Sequence, residues 1–246
     1  MINLIKGRYS ARQATTDTDI DRVQRLRGLA FDRSGGIDSD RFDALCDHVL
    51  IEDRTTNALV CCFRFLQFPD GREIGQSYSS QFYELAQLHE FEGRIVEMGR
   101  FCVHPDFSGD PDILRVAWGA MTVYVDANKV ELLFGCVSFA GTNPVVYQDA
   151  FAALQERHLA PRKWAPMVKA TNVIPFEKDV TIKRDAKQAN LQMPPMLRTY
   201  LLMGGWVSDH AVVDHEMNTL HVFTGVEIAT IPNARKRLLR AVAGSR

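Results

Sequence analysis

The stretch Ile95-Val96-Glu97-Met98-Gly99-Arg100-Phe101-Cys102-Val103-His104-Pro105 constrains this chain more than any other. Its near-continuous apolar content predicts a strand of about nine residues, covered on both faces and ended by a proline. Two opposite charges, Glu97 and Arg100, interrupt it. A charge inside a covered strand is costly unless it is partnered. Either the two charges belong to buried ion pairs that fix the fold, or they face a ligand cavity. Alternation puts Glu97, Gly99 and Phe101 on one face and Met98, Arg100 and Cys102 on the other. A bulge at Gly99 would carry Glu97 and Arg100 towards the same cavity.

The segments around this strand read as a mixed α/β domain. Candidate caps from Thr15 to Asp19 precede Ile20, Val23, Leu26 and Ala30 at helical spacing, and Ser34-Gly35-Gly36 ends that helix. Arg27 and Phe31, four apart, share one side of it. The loop beyond carries Asp38, Asp40 and Asp43, which on its own is a solvated acidic loop. Two antiparallel strands are predicted over 48–52 and 58–66, the second bearing one charge, Arg64. A helix is expected over 78–91, with Phe82, Leu85 and Leu88 facing inward. A helix over 113–128, a strand over 131–139 and a helix opened by Asn143-Pro144 follow. The pattern dissolves from 161 to 188. Pro194-Pro195 then opens a helix closed by Gly204-Gly205, and strands are expected over 206–213 and 219–228.

Composition excludes several classes. With 246 residues, 46% apolar and 24% charged, and a net charge of −1, nothing draws the whole chain to nucleic acid. Five cysteines without a CxxC pair fit a reduced, cytoplasmic protein with no structural metal. The first ten residues lack the apolar core of a signal peptide, and no apolar run is long enough to cross a bilayer. Charge is uneven, however. Lys and Arg dominate 162–187, including Lys178, Lys183 and Arg184, and Arg235, Lys236, Arg237, Arg240 and Arg246 crowd the C-terminal segment without an acid.

Arg27, Arg64, Glu97 and Arg100 are charges in apolar surroundings, and with Asp40 and Asp43 they make a pattern similar to that of the acyl-homoserine-lactone synthases. That family has an Arg and a Phe four apart, a D-x-x-D loop, a strand Arg and E-x-x-R-F, matched here by Arg27 and Phe31, Asp40 and Asp43, Arg64, and Glu97 to Phe101. It also has a tryptophan where this chain has Ile37, and it lacks some fifty C-terminal residues. The chain more closely resembles the ornithine-lipid N-acyltransferases over about residues 10 to 230. Glu97 to Pro105 matches their E-x-G-R-x-C-V-H-P, and Leu133 to Phe139 matches L-F-G-C-x-S-F. The Pro194 to Asp214 segment is similar to their proline-rich helix, glycine pair and strand.

This resemblance implies a single domain over 1–246 with the GNAT-like acyltransferase fold, a mixed sheet with helices on both faces, and its sheet extended from about 190. It implies transfer of a 3-hydroxyacyl group from acyl carrier protein to the α-amine of ornithine, with glycine or glutamine as alternative acceptors. No cofactor is implied beyond the donor itself. Glu97 and Arg100 are the expected catalytic pair. Arg27, Phe31, Asp40, Asp43, Arg64, Phe101, Ser138 and Asp214 are expected to line or hold the pocket, although Asp214 also reads as a plain turn residue.

The residues fit that chemistry. Glu97 is the candidate base, because a carboxylate drawn partly out of water binds a proton more readily. Backbone N–H groups of a splayed strand suit an oxyanion. The turn from Asp106 to Asp112 places carboxylates where a coenzyme's pyrophosphate would sit, so a carrier-protein donor is expected. Cys102 and Cys136, in apolar strands, read as core residues. The basic segments suit an acidic carrier protein or an anionic membrane surface, met peripherally. A lactone synthase and a non-catalytic lipid- or acidic-protein-binding module are the competing readings.

Overall fold

The N-terminal residues fold as a hairpin with no sequence signal beyond Gly7, which turns it at φ +57° between β1 (Asn3–Lys6) and β2 (Tyr9–Gln13). This computed structural model describes residues 2–31, 36–177 and 185–244. Ser34, Gly35, Lys178, Lys183, Arg184 and Arg246 lie outside them. Helix α1 (Asp17–Ala30) follows, its Thr16 hydroxyl accepting from the Asp19 N–H as an N-cap. Then come β3 (Asp47–Asp53), β4 (Leu59–Phe68), the short β5 (Tyr83–Glu84) and β6 (Ile95–Val103). Helix α2 (Pro111–Asn128), β7 (Leu132–Ala140) and α3 (Gln148–Arg157) complete the centre. Beyond lie β8 (Met167–Val168), β9 (Val173–Pro175), α4 (Ala186–Gln192) and α5 (Pro195–Leu202). The chain continues through β10 (Trp206–Val207), β11 (His210–Asp214), β12 (Thr219–Glu227) and α6 (Asn233–Ala243).

The described residues group into two compact units. The first comprises 1–67, 98–130 and 232–246, the second 68–97 and 131–231. Strand β6 contributes Ile95 to Glu97 to the second and Met98 to Val103 to the first.

In the first unit β1, β2, β3 and β4 pair antiparallel in sequence order. Helices cover both faces, as the α/β pattern requires. On one, Val23 and Leu26 of α1 pack on Leu50, Cys62 and Cys102. Burying such aliphatic side chains stabilises by about 1.5–3 kcal/mol each, which is what holds α1 to the sheet. On the other, Tyr124 of α2 stacks on Phe65 at 4.0 Å between ring centroids. Phe101 stacks on Phe63 while Cys102 faces α1, so strand alternation holds at these two positions.

In the second unit Ile95 to Glu97 pair in parallel with Leu132 to Phe134. Strand β7 pairs antiparallel along its whole length with β12, which continues to β11 and β9. Phe139 packs edge-on against Phe151 of α3 on one face. The segment 78–83 covers the other, with Ser79 against Cys136 and Phe82 against His221.

Three expected elements differ. No continuous helix runs over 78–91: there are two 3-10 turns, Ser79–Gln81 and Ala86–Glu90, separated by β5. Tyr83 and Glu84 pair with Val168 and Met167, so a tertiary partner takes backbone groups in mid-segment that a helix would use. Leu85 and Leu88 are nonetheless buried. The strand expected over 206–213 breaks at Ser208, whose hydroxyl donates to the His210 carbonyl and accepts from the Phe223 N–H. The helix after Asn143-Pro144 begins with a 3-10 turn, and α3 starts only at Gln148.

Candidate active site

Three arginines and three aspartates of the first unit form one neutral, largely buried network. Arg27 is 1% exposed. Its Nε donates to Asp38 at 2.8 Å, its Nη1 to Asp43 at 2.6 Å, and its Nη2 to the Asp38 carbonyl at 2.7 Å. Arg64 grips Asp40 with both terminal nitrogens at 2.7 Å and also donates to Asp43. Arg100 reaches Asp40 at 3.0 Å and Asp38 at 3.1 Å.

Local sequence explains why the loop closes over α1. Gly28 presents no side chain, and a Cβ there would lie 2.4 Å from the Gly36 backbone, so the chain at 36–37 lies directly on the helix. The Asp38 N–H then donates to the Gln24 carbonyl.

Burial by itself would push the Asp43 carboxyl up; the Arg27 and Arg64 guanidiniums overturn this and hold it well below the usual carboxylate range. Asp40 is likewise held down, against burial, by Arg64 and Arg100. Asp40 and Asp43 are therefore ionised at neutral pH, and each carboxylate of the network is shared between two arginines.

Strand β6 is distorted where it joins this network. Arg100 sits at φ +53°, in the left-handed region, at a cost of roughly 1–2 kcal/mol for a residue with a Cβ. Gly99 beside it lies against Arg64, whose Nε would make only an ordinary 3.9 Å contact with a Cβ at that position. Phe31 lies under Arg100, 6.0 Å from guanidinium to ring centroid.

Glu97 belongs to the second unit and is 4% exposed. Its Oε1 accepts from the Ser79 N–H at 2.7 Å and the Ser79 hydroxyl at 2.5 Å, and its Oε2 accepts from the Tyr78 N–H at 2.7 Å. The first N–H groups of a helical turn have no partner within the turn. Here a strand carboxylate supplies one, acting as a cap from a distant segment. The Ser79 hydroxyl also touches the Cys136 sulfur at 3.4 Å. This fixes a buried carboxylate at the last rung of the parallel ladder, Glu97 opposite Phe134.

The other expected site residues fall as follows. Phe101 is half-buried in the first unit, stacked on Phe63 at 5.8 Å between ring centroids. Ser138 is exposed on β7, opposite His221. Asp214 accepts from the Met217 N–H at 2.9 Å and so serves the β11–β12 turn. His104 accepts from the Asp106 N–H and caps the turn after β6. The sequence reading did not assign Asp38, Tyr78 or Ser79 to the site. Charge balance gave no signal for Asp38, because Glu97, Asp40 and Asp43 already match the three arginines until the structure takes Glu97 elsewhere, and nothing local marked the other two.

Residues 22–118 match the acetyltransferase (GNAT) domain family. An L-ornithine N(alpha)-acyltransferase of Rhodobacter capsulatus is 34% identical over 233 residues, 87% of this chain and 88% of the relative. The Brucella abortus protein of the same name is 26% identical over 248 residues, covering 92% and 86%. Among solved structures, an N-acyl amino acid synthase from uncultured soil microbes superposes with a TM-score of 0.51 at 10% identity, covering 90% of this chain and 92% of that one. A CoA-dependent acyl-homoserine lactone synthase superposes at 0.52 with 12% identity, covering 96% and 88%. These two likenesses establish the fold: a GNAT-like mixed sheet. The near-full-length identity to the Rhodobacter enzyme goes further, and the chain is an acyltransferase that belongs to the L-ornithine N(alpha)-acyltransferase family.

Proposed function

We propose that the chain, acting as one acyltransferase domain, moves a 3-hydroxyacyl group from acyl carrier protein to the α-amine of L-ornithine, giving a lyso-aminolipid. The observation that carries this reading is the similarity, over nearly the whole length, to proteins named for N(alpha)-acylation of ornithine. In the reaction the ammonium loses a proton, the amine attacks the thioester carbon, an amide bond forms, and the C–S bond breaks to release the carrier thiol.

Glu97 is the proton acceptor in this reading. Three donors from Tyr78 and Ser79 fix its carboxylate, so the group is already oriented when the amine arrives. Arg100 takes a positioning role with Arg27 and Arg64, because their guanidiniums are held by Asp38, Asp40 and Asp43.

A carrier-protein donor is supported at the start of α2. Asp110 accepts from the Asp112 N–H at 2.9 Å and from the Tyr9 hydroxyl at 2.6 Å. The helix terminus thus carries its own carboxylate, which complements the dipole and repels a pyrophosphate. No prosthetic cofactor enters this scheme.

We place the reaction in the cytoplasm, at the inner face of an anionic membrane. Among the described residues no helix is long and apolar enough to cross a membrane. Helix α6 instead offers Arg237 and Leu238 at its surface.

The test is an assay of the purified chain with 3-hydroxyacyl carrier protein and a panel of amino acids, read by mass spectrometry and thiol release. N-acylornithine as the main product, with stoichiometric thiol, is expected. Acylation of glycine or glutamine in its place overturns the choice of amino acid, and thiol-free or absent product overturns the reaction.

A further inference from the structure

The face of the second unit's sheet that carries Glu97 continues across β7, β12 and β11. Directly paired residues share a face in a sheet. The pairings Glu97 with Phe134, Ser138 with His221, and His221 with Val212 therefore place Glu97, Cys136, Ser138 and His221 on one side. Segment 78–83 covers that side: Ser79 touches Glu97 and Cys136, and Phe82 and Tyr83 pack on His221.

His221 is 3% exposed, and its Nε2 is buried without a hydrogen-bond partner. The other ring nitrogen defines what Nε2 is. The Tyr83 hydroxyl lies 2.8 Å from the His221 carbonyl oxygen and 3.2 Å from its Nδ1. A carbonyl only accepts, so the hydroxyl proton points to it, and the hydroxyl oxygen accepts from Nδ1–H. In the neutral ring Nε2 then carries a lone pair. Burial favours that neutral form, drawing the imidazole down to about 4.

A buried acceptor left unpaired is costly, and a ligand that brings the missing donor removes that cost. Aromatic walls, Phe82 at 4.9 Å and Tyr83 at 5.7 Å between centroids, suit a neutral donor on an otherwise apolar chain better than an ammonium ion. The position fits too. His221 lies two strands across and four residues along from Glu97, roughly 16 Å between Cα atoms at ordinary strand spacing and rise. Both side chains rise from the same face of the sheet, so the span to be bridged lies along that face.

We propose that His221 recognises the 3-hydroxyl of the acyl donor, accepting its O–H at Nε2, and so sets the preference for a 3-hydroxyacyl group. Tyr83 is the positioning residue that holds the tautomer. The proposal rests on the acyl-transfer reading above. A site built to hydrogen-bond a substrate hydroxyl rejects the analogue that lacks it, because its own polar atom is then left unpaired.

The experiment compares kcat/KM for two carrier-protein thioesters of equal chain length, one 3-hydroxylated and one unsubstituted, with ornithine as acceptor. The wild-type ratio should favour the hydroxylated donor. In His221→Phe, whatever absolute rate remains, that ratio should fall by roughly 10-fold or more, the effect of one buried hydrogen bond. His221→Gln, which keeps an acceptor, should retain part of the selectivity, and serves as the test if the Phe variant does not fold. A folded variant with an unchanged ratio overturns the assignment. So does a wild-type enzyme that acylates ornithine equally well from both donors. A wild-type enzyme that acylates no ornithine from either donor overturns the transfer reading as well, which separates the two failures.

Discussion

Ser79 donates twice to a single oxygen of Glu97, through its backbone N–H at 2.7 Å and its hydroxyl at 2.5 Å. A strand carboxylate is thereby tied to the turn that covers it. Two variants separate the chemical role of that carboxylate from its structural one. In Glu97→Gln an amide replaces the proton acceptor, and kcat should fall roughly 10²- to 10⁴-fold while the protein stays folded. In Ser79→Ala the carboxylate remains with one donor fewer, and the loss in kcat should be much smaller. Turnover and thermal midpoint measured on both variants decide it: a folded Glu97→Gln enzyme with near-normal kcat ends the base assignment.

Arg27 should be among the residues whose loss costs most stability. Arg27→Met leaves Asp38 and Asp43 buried without their guanidinium, and removing one partner of a buried ion pair costs about 3–5 kcal/mol. Chemical denaturation gives the value directly. A loss below about 1 kcal/mol, the range of exposed pairs, would contradict the buried network.

The same network predicts how stability depends on pH. Asp40 and Asp43 have folded-state proton affinities depressed below the unfolded value, so their contribution is present above the unfolded carboxyl range. It is lost as pH falls below about 4. The thermal midpoint of the wild type should therefore drop on acidification. Asp43→Asn should start lower at neutral pH and fall less steeply, since one depressed carboxyl is gone. Parallel curves for the two proteins would refute this.

Gly28→Ala sets helix propensity against packing. Alanine favours the interior of α1 by roughly 0.5–1 kcal/mol. Its methyl would stand 2.4 Å from the Gly36 carbonyl carbon, a backbone atom that cannot rotate away. Packing should win: the variant should be less stable than wild type, and its displaced loop should weaken the Asp38–Arg27 contact. A gain in thermal midpoint would mean the loop does not lie on the helix.

The basic helix α6 should steer the acidic donor. The triple variant Arg235→Glu, Lys236→Glu and Arg237→Glu should raise the KM for acyl carrier protein and flatten the salt dependence of kcat/KM. Both follow if screened long-range attraction brings the donor in. Unchanged KM at low salt would assign these charges to solvated surface.

The sequence by itself determined the strand at the centre, and four charges, on it and on two neighbouring elements, that sit in apolar surroundings. Glu97, Arg100, Arg64 and Arg27 stand out because each interrupts an apolar run, and a charge there must find a partner. Asp40 and Asp43, in a loop that reads by itself as solvated surface, joined that cluster through the pattern shared with the acyltransferase families. Which charge meets which was decided by the tertiary structure. Arg100 goes to Asp38 and Asp40, some sixty residues earlier, while Glu97 is taken up by the Tyr78–Ser79 turn. Alternation along a strand says which face a side chain takes but not what covers that face. The helix expected over 78–91 fails for a related reason. Its apolar spacing was real and Leu85 and Leu88 are buried, but the backbone groups of Tyr83 and Glu84 in its middle are claimed by β8, and no local pattern encodes a partner so remote in sequence.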